Sequence, residues 1–215
     1  MTGEELHTRM RKVKANTSTG TDSWRGGEVK ALPAKLLDPF GTLMWRIEHG
    51  APWPKALLYA VTAMLPKPGQ NPLEAGPMKQ RPVTVASVLY RAYASVRYRH
   101  LSPWMMSWCH ENFRGGIPEG DCKGLTLEMG LDIESAALDG EALWGLDEDI
   151  KKYYDCLVRE IIWAAAQVLG LPEWFADSRR RFSNDLQRMF KYGKLLGPLH
   201  HTIVSALQGC ALAQI

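Results

Sequence analysis

The sequence predicts an α+β protein, and three observations lead to that prediction. Hydrophobic residues make up 46% of the 215 positions, which is enough to build a sizeable core without disulfide or metal support. Some segments repeat apolar residues at helical spacing, whereas others are short apolar runs typical of strands. Because these segments do not follow strict βαβ alternation, they favour a layered α+β fold over a doubly wound sheet.

The first half of the chain is predicted to contain two long helices with a strand between them. Residues 1–23 are mostly polar and are expected to form a flexible segment. Helical apolar spacing predicts helices over 36–47 and 85–110, and glycine and proline follow the first of them. The apolar run 57–65 leads into a proline- and glycine-rich turn, which indicates a strand, and 70–80 is predicted to be a loop.

The second half of the chain is predicted to mix helices with shorter strands. Helical spacing predicts helices over 125–138, 155–169 and 173–190. The apolar run 143–149 ends in acidic residues and is predicted to be a strand. The last predicted elements are the strands of a hairpin, 189–196 and 201–207, on either side of Gly197-Pro198.

The cysteines and the first residues of the chain indicate an intracellular protein that has no membrane partner. No apolar run reaches the roughly 18 residues that a membrane span needs, and 1–14 lacks the apolar core of a secretory signal. The four cysteines lie far apart and form no CxxC pair, so reduced thiols are expected rather than a disulfide or zinc scaffold. They are Cys109, Cys122, Cys156 and Cys210.

Charged residues are unevenly distributed along the chain. Five basic and no acidic residues occur over 79–99, and six basic residues face one acidic residue over 178–194. Over 139–155 the sign reverses, with six acidic residues against two lysines. Basic regions attract phosphates and clustered carboxylates bind divalent cations, so the distribution fits an enzyme that handles a polyanion with a metal. Solvated helix surfaces would carry the same charges, and the distribution alone does not separate the two interpretations.

The segment 144–155 carries the most informative pattern, Trp-Gly-Leu-Asp-Glu-Asp-Ile-Lys-Lys-Tyr-Tyr-Asp. Its apolar run leads to Asp149, and a carboxylate at the end of a strand is well placed to hold Mg²⁺ against a phosphate. An aspartate at a strand-to-helix turn more often caps the following helix, so the pattern alone leaves both roles open.

Two other segments add groups that recognise phosphates. Lys67 and Arg81 lie on either side of one loop, so two antiparallel strands would bring both cations onto one triphosphate. Gln208 and Gly209 stand where a strand is expected to enter a helix. A glycine there lets the backbone approach a ligand closely, and the amides of a helix N-terminus favour anions.

Taken in order, these segments resemble the reverse transcriptases of non-LTR retrotransposons and group II introns. The resemblance extends over residues 20–215, with three departures: Ser23 replaces the usual glycine of the first motif, the segment 112–116 is altered, and Ala213 stands where the family often has serine. The matching segments are 20–24, 52–53, 65–69, 81–82 with the following helix, 112–116, 149–155 and 208–209.

The resemblance implies a metal site. Asp149 would be a carboxylate ligand of two catalytic Mg²⁺ ions, and the carbonyl of Ile150 would also touch a metal. Asp147 is the rival for this role, but its distance in sequence from the tyrosines does not suit the motif.

The resemblance also implies how a nucleotide is held. Tyr154 would pack beneath the sugar and exclude a 2′-hydroxyl, so deoxynucleotides would be preferred. Lys67 and Arg81 would contact the incoming triphosphate. Gln208 and Gly209 would pack against the nucleotide and the template base.

Four arginines are expected to bind nucleic acid. Arg179 and Arg180 belong to a run of three arginines, and Arg91 and Arg114 lie within or next to matching segments. Contacts to phosphates would position the nucleic acid without reading its sequence. A solvated helix face is the alternative for the arginine run.

The expected architecture is the fingers and part of the palm of a right-hand polymerase. Residues 1–23 would be flexible, 24–142 fingers-like and 143–215 a partial palm. No paired-aspartate motif follows Gly209, and the thumb and the rest of the palm are not matched.

The resemblance implies a nucleotidyltransferase. The intact parent would add deoxynucleotides to a DNA primer on an RNA template, whereas this chain alone is expected to bind Mg²⁺ weakly and to be inactive. Two alternatives stay open: a non-catalytic nucleic-acid-binding remnant, and a fragment of an RNA-dependent RNA polymerase. Tyr154 disfavours the second, since such enzymes place a small residue or an acid near that position.

Overall fold

A computed structural model gives the architecture of the chain. It describes residues 1–66, 68–69, 71, 76, 79–110, 112–117, 120–150, 153–202 and 210–213, without the side chains of residues 155 and 213. The fold is α+β, as the sequence predicts, with helices packed around a four-stranded mixed sheet. The helices are α1 (Gly3–Met10), α2 (Gly26–Ala31), α3 (Ala34–Glu48), α4 (Val88–Trp108), α5 (Cys122–Asp139), α6 (Tyr153–Cys156), α7 (Arg159–Val168) and α8 (Glu173–Asp185). The strands are β1 (Tyr59–Leu65), β2 (Arg81–Ala86), β3 (Gln187–Tyr192) and β4 (Leu195–His201).

The sheet joins strands that are far apart in sequence. Its order is β2-β1-β3-β4, with β1 antiparallel to β2, parallel to β3, and β3 antiparallel to β4. Tyr59 on β1 pairs with Gln187 on β3, so the central pair of strands spans the middle of the chain. A parallel pair needs a long crossover, and here α4 to α8 lie within that connection.

Two clusters of buried side chains make the core. The larger one draws residues from β1, β2, α3, α4, α7 and α8, and the smaller one draws residues from α1, α2, α3 and α4. In the larger cluster Phe182 stacks on Tyr90, with centroids 4.2 Å apart and planes at 2°, and Trp53 meets Phe182 edge-on at 4.8 Å. Such aromatic contacts add stability beyond the apolar area they bury.

The predicted helices and strands of the first half agree well with the structure, apart from the N-terminus. The helix expected over 36–47 is α3, the helix expected over 85–110 is α4 after strand β2, and the strand over 57–65 is β1. The segment 1–23 differs, because its first part forms α1 and buries Leu6 and Met10 completely. Thr2 and Glu5 form a capping box that starts this helix, a signal available in the sequence.

In the second half the helix over 125–138 is α5, but the helix expected over 155–169 is split into α6 and α7. The helix expected over 173–190 ends at Asp185, where β3 follows after Leu186. A hairpin is present in this region, but it is formed by β3 and β4, with its turn at Gly193-Lys194 rather than at the predicted Gly197-Pro198. Most of the strand predicted over 201–207 lies outside the described residues. Gly193 has a φ of 58°, and a glycine at the first position of a two-residue loop suits a hairpin turn.

The strand predicted over 143–149 is wrong, since residues 141–150 carry no regular secondary structure and are exposed. Gly145 and the acidic residues 147–149 have low strand propensity, and a strand forms only where a neighbour pairs with its backbone. The sheet and the larger core also include residues on both sides of position 143. The division into 24–142 and 143–215 stays a prediction.

None of the helices in the described part of the chain combines the length and the hydropathy that crossing a bilayer requires.

Candidate nucleotide and nucleic-acid site

The hairpin of β1 and β2 places the first of the predicted nucleotide contacts. Leu65 at the end of β1 pairs with Arg81 at the start of β2, and the side chain of Arg81 is exposed. The two antiparallel strands predicted on either side of the 66–80 loop are therefore confirmed. Lys67 lies outside the described residues, so its convergence with Arg81 stays a prediction.

The segment Gly20 to Asp22 docks onto the join between β2 and α4. A Cβ on Gly20 would lie 2.7 Å from the carbonyl oxygen of Ala86, so only glycine allows this close approach. The carboxylate of Asp22 accepts the backbone N–H of Val88 at 3.2 Å, and the Thr21 hydroxyl donates to the carbonyl of Tyr59 at 3.2 Å. The segment thereby ties together β1, β2 and the first turn of α4.

The first turn of α4 is held by a small group of charges. Ser87 caps it by accepting the N–H of Tyr90, and the negative charge of Asp22 suits the positive end of the helix dipole. Arg91 is half-buried and donates to the carbonyl of Ser18 at 2.7 Å. Burial lowers the pKa of Arg91, and the attraction of Asp22 opposes that shift. Arg91 thus holds the docked segment, and the expected contact with nucleic acid is not tested.

The departure at Ser23 has a structural consequence. Ser23 has a φ of 57°, in the left-handed region that favours glycine. Every other described residue with a positive φ is a glycine. The glycine usual at this position in the resembling family suits that backbone, and serine carries the steric cost of its Cβ.

Replacing Ser23 with glycine is expected to raise the free energy of unfolding by about 0.5–1 kcal/mol, because the relief of left-handed strain exceeds the added chain entropy of glycine. Urea unfolding followed by circular dichroism measures the change. Ser18→Gly is the matched control, since Ser18 is exposed and has no positive φ, and that variant should gain nothing. A Ser23→Gly protein less stable than the parent would contradict the strain argument.

The Pro52-Trp53 segment is joined to α4 and α8 through the aromatic core. The indole N–H of Trp53 donates to the carbonyl of Ser178 at 3.0 Å, and its ring packs edge-on against Tyr90 and Tyr93, with centroids 6.0 Å apart in each case. Trp53 is buried, so its role is packing.

The arginine run of α8 is mostly structural. Arg179 is buried; its guanidinium donates to the Tyr90 hydroxyl and lies 5.2 Å from the centroid of the Phe182 ring. Arg181 donates to the carbonyls of Ile47 at 2.6 Å and Ala51 at 2.7 Å, and so satisfies the C-terminal end of α3. The expected nucleic-acid contact of Arg179 does not agree with this burial. Charge runs in sequence do not tell which members face inward.

The other two arginines of the prediction stay half-buried at the surface. Arg114 forms an ion pair with Glu128 of α5, at 3.1 Å, and Arg180 lies between the two structural arginines of α8. The segment around Arg114 is held to α4 by a hydrogen bond from the Tyr98 hydroxyl to the carbonyl of Gly116, at 2.9 Å. For both arginines, the contact with nucleic acid stays a prediction.

The structure does not bring Asp149 onto the sheet. Asp149 and Ile150 are exposed at the end of the irregular segment 141–150, and the carbonyl of Ile150 accepts the N–H of Tyr153 at 3.2 Å. Asp149 was expected at the end of a central strand, and that placement is wrong because the strand is absent. Tyr154 does lie in a helix, α6, half-buried with its ring 5.5 Å from that of Tyr153. Gln208 and Gly209 lie outside the described residues.

The implied Mg²⁺ site can be compared with the described acidic groups. Across the described ranges, no three His, Cys, Asp or Glu side chains converge in a way that could hold a metal ion. Asp149 lies on an exposed segment and forms no hydrogen bond or ion pair with another described residue. Residues 151–152 and 203–209 lie outside the described ranges, and the Mg²⁺ site implied near Asp149 stays a prediction.

A buried ion pair and an aromatic stack lie outside the sequence motifs. Glu48, at the end of α3, is buried and accepts hydrogen bonds from Tyr93 at 2.9 Å and from Arg97. Trp45 and His49 stack on the same helix face, and their spacing of four residues was the signal available in the sequence. No sequence signal pairs Glu48 with Arg97, which lies 49 residues further on.

Comparison with models of known protein families and with curated proteins gives no match.

Proposed function

We propose that the chain is the fingers and the first part of the palm of a reverse transcriptase, an RNA-directed DNA polymerase. In the intact enzyme it would help to hold an RNA template, a DNA primer and an incoming deoxynucleoside triphosphate. The chemistry would require Mg²⁺ ions bound near Asp149, which stays a prediction.

The observation that supports this proposal best is the joining of motifs that are separate in sequence. Asp22 of the first motif binds the N-terminus of α4 through Val88, and Trp53 of the second packs on Tyr90 of the same helix. The strand that carries Arg81 runs directly into that helix. Segments that resemble one family in order thus pack as one unit around α4, as parts of a single fold would.

The geometry is compatible with a triphosphate contact by Arg81. Its guanidinium stands at the exposed end of a hairpin, and no hydrogen bond or ion pair joins it to another described residue. An arginine in that position can offer a planar fork to two phosphate oxygens, which a lysine cannot. Lys67, on the other side of the loop, would add a point charge.

Replacing Arg81 with alanine is expected to weaken binding of a deoxynucleoside triphosphate about tenfold, because a charge-assisted hydrogen bond contributes roughly 1.5–3 kcal/mol. The probe is a labelled DNA primer on an RNA template, and fluorescence anisotropy is measured with and without the complementary triphosphate and Mg²⁺. Affinity for the duplex should fall steeply with salt, since bound phosphates release counterions. Arg11→Ala is the control, because Arg11 is exposed outside the motifs.

The outcomes separate the parts of the proposal. No salt-sensitive binding of the duplex would contradict a nucleic-acid function. Binding in which the triphosphate effect is equal in the parent, Arg81→Ala and Arg11→Ala would contradict the hairpin contact alone. Because this chain alone is expected to bind without extending a primer, primer extension that disappears in Asp149→Ala would show that it is active without the paired-aspartate motif.

A further inference from the structure

Two exposed tryptophans from different helices form one stack with a histidine. Trp45 of α3 stacks on His49, the C-cap residue of that helix, with centroids 4.2 Å apart, and His49 faces Trp174 of α8 at 6.4 Å with planes at 9°. Trp45 is 53% exposed and Trp174 is 40% exposed. We call these three residues the aromatic stack.

The aromatic stack is held rigidly in place. Nδ1 of His49 donates to the carbonyl of Trp45 at 2.7 Å, which fixes the imidazole ring. The guanidinium of Arg97 lies 5.4 Å from the centroid of the Trp174 ring, and Glu48 in turn holds Arg97 by two hydrogen bonds. Rings that are ordered before binding lose little entropy when a ligand packs on them.

The charge around the aromatic stack is mixed, and Arg46 is the residue that follows Trp45 along α3. The charge of Arg97 is matched by Glu48, and that of Arg181 by Asp177 at 2.8 Å. Glu173 is exposed next to Trp174. Arg46, beside Trp45, is exposed and makes no side-chain hydrogen bond or ion pair within the described residues, so it is available to a phosphate.

We propose that the aromatic stack binds unpaired bases of single-stranded nucleic acid, with Arg46 contacting the adjacent phosphate. Exposed aromatic faces beside a basic side chain are how proteins hold single strands without reading sequence, because every base offers a π face. This surface uses neither Arg81 nor Asp149 and needs no catalytic activity. It is therefore a contact in addition to the proposed primer–template site, and it serves a strand that is not base-paired.

The test uses labelled oligothymidylate and oligouridylate of about twelve nucleotides, within the usual range of single-strand site sizes. Fluorescence anisotropy gives the Kd for each, and for an abasic strand of equal length and charge. The parent protein is expected to bind the strands with bases about tenfold more tightly than the abasic strand, since stacking contributes about 1–3 kcal/mol per base. Trp45→Ala should remove most of that difference, and Arg46→Ala should weaken both kinds of strand equally.

Matched variants make the result decisive. Trp24 is 38% exposed and lies outside the stack, so Trp24→Ala should keep the preference for strands with bases. Trp45→Phe should keep part of it, and thermal melts confirm that each variant is folded. Arg81→Ala is expected to bind single strands as the parent does, which separates this surface from the proposed triphosphate contact.

Three results would overturn the proposal. The first is that the parent protein does not bind single strands. The second is that it binds abasic strands as tightly as strands with bases. The third is a preference for bases that survives in both Trp45→Ala and Trp174→Ala. In the first case, binding of a proline-rich peptide to the same rings would assign the surface to a protein partner.

Discussion

Replacing Glu48 with alanine is expected to lower the free energy of unfolding by about 3–5 kcal/mol, the typical cost of removing one partner from a buried ion pair. The side chain of Glu48 is 1% exposed and that of Arg97 is 11% exposed. Without the carboxylate, the guanidinium of Arg97 loses its counter-charge in a poorly hydrated site. The hydroxyl of Tyr93 also loses its acceptor, the Glu48 carboxylate. Burial and, after it, the Glu48 carboxylate raise the pKa of Tyr93, so this hydroxyl is protonated and needs an acceptor. Urea unfolding measures the change.

A double-mutant cycle with Arg97 tests the cause. Glu48→Ala with Arg97→Ala should be no less stable than Glu48→Ala alone, because the unpaired charge has then been removed. Glu134→Ala is the control, since Glu134 is exposed on α5 and its loss should change stability by about 0.5 kcal/mol or less. Losses that simply add in the double variant would contradict an ion pair and point to packing alone.

The same buried polar contacts also hold the rings of Trp45, His49 and Trp174 in position. Glu48 fixes Arg97, and Arg97 lies over the ring of Trp174. Arg181 binds the carbonyl of Ile47 in the last turn of α3 and that of Ala51 just beyond it, and so holds this end of α3 against α8. The position of the two indoles therefore depends on buried polar contacts beneath them. We expect Glu48→Ala to disturb the binding of single strands through this route as well as lowering stability.

The elements that were predictable from sequence are those whose signals are local. Helical spacing located α3 and α4, and the apolar run located β1. A hairpin was also expected near the last strands, but its turn was placed at Gly197-Pro198, whereas the structure turns at Gly193-Lys194, where a glycine suits the first position of a two-residue loop. For these elements, neighbouring residues are enough to determine the secondary structure.

The predictions that failed concern features whose structure depends on residues far away in the sequence. The segment 143–149 has an apolar run, but a strand needs a neighbour for its backbone and none of the described strands pairs with it. The parallel pairing of β1 with β3 joins residues more than one hundred positions apart, which no local pattern indicates. The candidate site depends on both features, so its residues could be named from motifs while their arrangement could not.

The arginine run of α8 shows the same limit at the level of single side chains. Sequence shows three equal charges, and the period of a helix separates their directions by about 100° per residue. Which direction faces the core is decided by a distant residue, Tyr90 of α4, to whose hydroxyl Arg179 donates across the fold. Phe182, three residues further along α8, lies under the same guanidinium. Stability and binding can therefore be assigned to different members of the run by experiment.

Replacing Arg179 with alanine is expected to lower the free energy of unfolding by about 2–4 kcal/mol, because the change leaves a cavity among aromatic rings and removes a charged partner of the buried Tyr90 hydroxyl. The hydroxyl then keeps only its contact with the Cys210 thiol, a weak hydrogen-bonding group at 3.8 Å. Burial raises the pKa of Tyr90 well above its ordinary value, so the hydroxyl stays protonated and cannot offset the loss by ionising. Arg180→Ala is the matched neighbour, and its half-buried side chain should contribute about 1 kcal/mol or less. Nucleic-acid affinity, measured on folded protein, should be unchanged by Arg179→Ala and lowered by Arg180→Ala, with a shallower dependence on salt. An Arg179→Ala protein that keeps its stability but loses affinity would return Arg179 to the nucleic-acid surface.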